Sequence, residues 1–161
     1  MHPAPRHIPK LIFSILLAQS AGLIGSIFTF DAVATWYPTL TKPVWNPPSW
    51  IFGPVWTLLY TMIGVALYLV WTRHLGGHVR SIWLKVFFVQ LALNALWSVI
   101  FFGKHLLLPA FIEILMLWAS ILTLIILAAR FDKRVALLLI PYLGWVSFAA
   151  YLNYTIWILN Q

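Results

Sequence analysis

Cysteine is absent from the 161 residues, and only three residues carry a carboxylate. Without a thiol the chain can form no disulfide, no thiolate metal site and no cysteine nucleophile. The carboxylates are Asp31, Glu113 and Asp132. The two aspartates fall in loops on opposite sides of the membrane inferred below, so Ser/His/Asp catalysis lacks its third member. Charge of either sign is scarce, at 8% of residues against 63% apolar, with a mean hydropathy of +0.94. That is too little charge to clothe a soluble globule of this size. The five histidines offer no metal site: His74 and His78 are four apart, but Gly76 and Gly77 interrupt any continuous turn between them.

Long apolar runs take the place of what is missing. A helix needs about 20 apolar residues, at about 1.5 Å each, to cross the hydrocarbon. Five stretches qualify, over residues 11–30, 50–72, 81–102, 106–129 and 135–159. They predict an all-α membrane protein, a five-transmembrane-helix up-down bundle in one domain over residues 1–161. The formal charge of +7 is spread along the chain, which argues against a nucleic-acid partner. It sorts by side instead. Arg6, Lys10, Arg73, Arg80, Lys85, Arg130, Lys133 and Arg134 share one side, and only Lys42 and Lys104 lie on the other. The positive-inside rule then puts the N-terminus in the cytoplasm and the C-terminus outside. The basic start followed by Ala18-Gln19-Ser20 has the outline of a cleavable signal, but the apolar run continues to Phe30, which favours a true span.

Residues 31–49 form the longest connection and carry the stiffest residues: "KPVWNPPSWIFGPVW", residues 42–56, holds four prolines and three tryptophans. Proline restricts φ and lowers the entropy lost when a loop settles, and tryptophan supplies large apolar faces with one N–H to place. Such a loop reads as a lid over the bundle mouth. Ser49 is a candidate N-cap for the second span, and Pro54, Pro109 and Pro141 are expected near helix starts. The first span carries Ala18, Gly22 and Ser26 at four-residue spacing, a seam for close helix packing within the chain.

Polar side chains in hydrocarbon should face protein or a cavity. Gln90, Asn94, Trp97, Ser98 and Phe101 share one face of the third span by helical periodicity. The second span offers Trp56, Tyr60, Gly64 and Leu67, the fourth Glu113 and Ser120, and the fifth Tyr142, Trp145, Ala149 and Asn153. These stripes are expected to converge on an aromatic cavity with a few hydrogen-bonding groups. Trp36, Trp71, Trp83 and Trp157, near span ends, are expected in interfacial belts. Glu113 is expected to pair with Lys104 or His105, or to stay protonated.

"WYPTLTKPVWNPPSW", Trp56, "LALNALWSVIFFG" and "LIPYLGWVSFAAYLN" together resemble the translocator protein family, whose bacterial members are called tryptophan-rich sensory proteins. The resemblance covers essentially the whole chain. It implies a five-helix bundle, usually a homodimer in the lipid bilayer, whose cavity binds porphyrins such as protoporphyrin IX and benzodiazepine-site ligands of the isoquinoline carboxamide type. It implies no cofactor beyond porphyrin as ligand, and ligand contacts from Tyr37, Pro47, Trp56, Tyr60, Asn94, Trp97, Ser98, Trp145 and Ala149; Phe101 joins these from its place on the third-span stripe. In the family, tryptophans at the positions of Trp56 and Trp145 hydrogen-bond ligand and are proposed to act in light-dependent porphyrin breakdown. The sterol motif of animal members is incomplete here: Tyr151 and Tyr154 are followed by no basic residue, so weak or no cholesterol binding is expected. A tetrapyrrole-binding sensor or regulator is the leading expectation. A light-dependent porphyrin-degrading enzyme and a porphyrin or sterol transporter are the alternatives, the odd helix count weighing against ion-coupled transport.

Overall fold

The computed structural model describes residues 7–74 and 76–161. Met1 to Arg6, including the basic Arg6, lie outside the described residues. Five helices carry the fold: α1 (Ile8–Thr35), α2 (Phe52–Thr72), α3 (Gly77–Ser98), α4 (Leu107–Ala129) and α5 (Lys133–Leu159). A π-helical turn, Val99–Gly103, extends α3. Each of the five is long and apolar enough to cross a membrane.

The helix ends follow local chemistry. α1 runs past the expected end at Phe30 because nothing from Asp31 to Thr35 breaks it; Pro38 stops it soon after. The lid is therefore shorter than residues 31–49 at its start and continues to residue 51, with two 3₁₀ turns, Tyr37–Thr39 and Ser49–Ile51. Ser49 makes no capping bond and opens the second of those turns. With α2 starting at Phe52, Pro54 falls in the first turn, where its missing N–H costs nothing. Pro141 departs from expectation: it lies inside α5, eight residues after Lys133. Asp132 caps α5, accepting from the Arg134 backbone N–H at 3.0 Å. Its carboxylate also binds the Arg134 guanidinium, at 3.0 Å, and that of Arg73 at the end of α2.

Packing orders the helices in a ring as α1, α2, α5, α4, α3. Successive helices alternate in direction, but α2 and α3 do not pack side by side as a short link suggests; α5 takes the place beside α2. The floor of the ring is dry core, with Ile63, Val70, Phe87, Ile121, Leu124 and Leu139 fully buried. Trp83 belongs to this core and not to an interfacial belt. It is 0% exposed, stacks on Phe87 at 5.3 Å, and donates its indole N–H to the Leu124 carbonyl at 3.3 Å. The cause is the earlier start of α3 at Gly77, which brings Trp83 into the second turn on the Phe87–Gln90 face.

Two glycines set how closely α1 and α2 approach. A Cβ on Gly64 would lie 2.5 Å from the Ile15 Cα, and one on Gly22 would lie 2.5 Å from the Tyr60 ring. The seam expected on α1 thus serves contacts inside the chain, with Ala18 buried and Gly22 against Tyr60.

Candidate ligand cavity beneath the lid

Above the dry floor the ring opens into a cavity of about 720 Å³. Its walls hold the rings of Trp56, Tyr60, Trp97, Phe101 and Trp145, with Tyr37 from the lid. Trp56 stacks on Tyr60 at 5.4 Å between centroids, and Trp97 on Phe101 at 4.9 Å. The π turn widens the backbone after Ser98 yet keeps Phe101 inward.

A buried hydrogen-bond chain leads down from the cavity. The Tyr60 hydroxyl donates to Asn94 Oδ1, the Asn94 amide donates to the Tyr142 hydroxyl at 2.7 Å, and Tyr142 donates to Gln90 Oε1 at 2.9 Å. Three helices are tied by it. Tyr60 and Asn94 face the cavity, whereas Tyr142 and Gln90 lie beneath it, both 0% exposed.

The indole N–H groups divide by role. That of Trp97 is committed to Asn153 Oδ1 at 3.1 Å, and the Asn153 amide in turn donates to the Leu107 carbonyl at 2.9 Å. That of Trp145 is buried in the cavity wall and has no partner among the described residues. A buried donor without an acceptor costs about 1–3 kcal/mol, so this N–H is a local strain on the wall.

The lid is pinned on several sides. The Tyr37 hydroxyl donates to Asn46 Oδ1 at 2.7 Å, and burial, partly opposed by that bond, pushes its pKa up to about 12. The Lys42 ammonium donates to the carbonyls of Tyr37 and Leu40, each at 2.8 Å, and lies 5.0 Å from the Tyr37 ring centroid. It is thereby spent on the lid and is not a free cation at the mouth. Asn160 closes the far end, accepting from the Thr41 N–H and donating to the Thr41 carbonyl, both at 2.9 Å. Trp36 stacks on His105 at 4.1 Å and Trp45 on Tyr151 at 5.2 Å.

Of the residues singled out from sequence, Tyr37, Trp56, Tyr60, Asn94, Trp97, Ser98, Phe101, Trp145 and Ala149 line this one cavity. Pro47 does not; it sits half-buried in the lid with its carbonyl accepting from the Asn46 amide. The fourth-span stripe is displaced. Ile114 and Leu117 line the cavity, and Glu113 and Ser120 do not. Glu113 is buried with both carboxyl oxygens unpartnered among the described residues, and Lys104 and His105 stay exposed, so the expected ion pair does not form. Gly64 and Leu67 fall below the cavity, against α1 and in the core. α1 supplies a wall that the sequence reading missed: Gln19, Gly22, Ser26, Thr29 and Val33 line it. Its signal was the run of small and hydroxyl residues Gly22, Gly25, Ser26 and Thr29.

Residues 14–158 match the TspO/MBR family. The tryptophan-rich protein TspO of Archaeoglobus fulgidus is 43% identical over 154 residues, 96% of this chain and 99% of that protein. A protein of the same name from Chlorobaculum tepidum is 43% identical over 155 residues, 96% and 98% of the two chains. The human translocator protein is 38% identical over 157 residues, 96% and 91% of the two. With five helices able to span a bilayer and similarity running through nearly all of each chain, this protein is an integral multi-pass membrane protein that belongs to the TspO/MBR family.

Proposed function

We propose that the protein is a tetrapyrrole-binding sensor or regulator, taking a flat amphiphilic macrocycle such as protoporphyrin IX into the cavity under the lid. The observation that carries this reading is the gathering of Trp56, Tyr60, Trp97, Phe101 and Trp145, from three helices and the π turn, on one cavity. The volume of about 720 Å³ falls in the range of roughly 300–1,000 Å³ usual for small-molecule sites. Indole and phenol faces stack on a π-macrocycle. Carboxylates of such a ligand would lie toward the lid, where Lys42 is already engaged by the Tyr37 and Leu40 carbonyls. Titration of protoporphyrin IX against tryptophan fluorescence tests it. A Trp56→Phe, Trp145→Phe double variant is expected to bind about ten-fold more weakly, and unchanged affinity would defeat the assignment.

A second reading, light- and oxygen-dependent porphyrin breakdown, draws support from Trp56, which stacks on Tyr60 and meets Tyr142 edge-on at 6.2 Å. An oxidised indole there sits beside phenols that can re-reduce it. Illumination of the complex separates the two readings. Soret absorbance falling no faster than for free porphyrin in detergent leaves the sensor alone.

A further inference from the structure

The cavity is closed on three sides and open on one. Its lining residues on α3, the π turn, α4 and α5 are all buried or half-buried, whereas Leu23, Phe30 and Ala34 of α1, Gly53 and Thr57 of α2, and Ser49 just before α2 are exposed. Leu23 is 67% exposed and Phe30 83%. The opening is therefore a lateral slot between α1 and the first half of α2. Its lower end is fixed by Gln19, whose amide donates to the Thr57 carbonyl at 3.0 Å and to the Thr61 hydroxyl at 3.2 Å. Just above, Gly22 meets the Tyr60 ring. From there toward the lid, cavity-lining residues on both helices are exposed. Phe30 lies 11 residues beyond Gln19, roughly 16 Å along the axis, so the slot extends from near mid-bilayer to the lid-side interface.

What borders such a slot follows from its depth. In a bilayer spanned by α1, Leu23 and Phe30, apolar and exposed at this depth, would face hydrocarbon. The alternative way in, through the lid from water, runs against Lys42, Asn46, Asn160 and two ring stacks.

We propose that this slot is a lateral portal seated, in the resting protein, by the acyl chain of a phospholipid in the lid-side leaflet, and that the cavity's ligand enters from the bilayer by displacing that chain. The acyl chain supplies the apolar contacts that Leu23 and Phe30 lack from protein. The portal selects ligands already dissolved in the membrane. The entry step rests on the porphyrin reading above; seating of the acyl chain does not.

The absence of native cysteine allows clean tests. In proteoliposomes, a Ser26→Cys, Gly53→Cys variant is bridged across the slot by a reducible bifunctional thiol reagent, and a Thr41→Cys, Asn160→Cys variant is cross-linked to fix the lid. Bridging the slot is expected to slow tryptophan quenching by liposome-borne protoporphyrin IX by about ten-fold or more, with reductant restoring the rate. Fixing the lid should leave the rate within about two-fold. The reverse pattern overturns lateral entry. The second arm uses no porphyrin. Phospholipid brominated along its acyl chain is expected to quench the Trp56 contribution, taken as the difference from Trp56→Phe, and bridging the slot is expected to remove that quenching. No quenching of Trp56 overturns the seated chain. Failure of protoporphyrin IX to bind the reduced protein sinks the porphyrin reading and the entry step with it, while the bromolipid arm still decides the portal.

Discussion

Glu113 places a carboxyl in the bundle where nothing answers it, 2% exposed and with neither oxygen hydrogen-bonded among the described residues. A group of this kind costs stability by desolvation, so a same-sized apolar side chain should relieve it. Glu113→Leu is expected to raise the thermal midpoint in detergent by about 2–4 °C; a fall would reveal a partner for the carboxyl. Tyr142 is the opposite case. Tyr142→Phe strands the Asn94 amide and Gln90 Oε1, and is expected to cost about 1–2 kcal/mol, read as a lowered unfolding midpoint. These two tests show what periodicity can and cannot deliver. The inward faces of α2, α3 and α5 were legible because Trp56, Asn94, Trp97 and Trp145 recur at helical spacing. Glu113 misled because a lone polar residue in hydrocarbon has several ways to be accommodated, and spacing does not choose among them. Pro47 came from the family resemblance and not from spacing, and it lies in the lid off the cavity lining.

The helix pair α1 and α2 is governed by two missing side chains. At Gly64 an added Cβ meets backbone, at 2.5 Å from the Ile15 Cα and 2.9 Å from the Ser14 carbonyl oxygen, and neither can move without shifting a helix. Gly64→Ala is expected to destabilise by about 1–3 kcal/mol. At Gly22 the neighbour is the Tyr60 ring, so Gly22→Ala should weaken ligand binding more than it weakens the fold. Equilibrium unfolding and porphyrin titration on the same variants separate the two effects. The wall supplied by α1 escaped the sequence reading because glycine, serine and threonine form a cavity by what they leave empty, and emptiness has no hydropathy signature. The lid is likewise an element held by named bonds. Lys42→Met releases three carbonyls, including that of Pro38 at 3.4 Å, and is expected to raise amide exchange across residues 37–51 while α4 stays protected.

Across the whole molecule, the end opposite the lid is tied by one carboxylate. The Arg134 side-chain bond, helped by its backbone N–H and by the charges of Arg134 and Arg73, holds the Asp132 pKa down at about 2 against the burial that would raise it. A depressed carboxylate contributes stability above its unfolded pKa near 3.8 and loses that contribution as pH falls toward about 2. Unfolding midpoints measured from pH 5 down to pH 2 should decline across that window, and Asp132→Asn should flatten the profile. The five spans and their alternating directions were legible from hydropathy and loop length. Their order around the ring was not, since the short turn between α2 and α3 limits distance and leaves the angle open.

That order bears on biogenesis. Because α5 wedges between α2 and α4, the ring stays a broken circle until the fifth span has left the ribosome and entered the bilayer. Trp145 arrives with it. A nascent chain stalled after Ala129 would already be anchored in the membrane yet hold an unfinished groove, so the cavity closes in one step with the fifth span and not gradually.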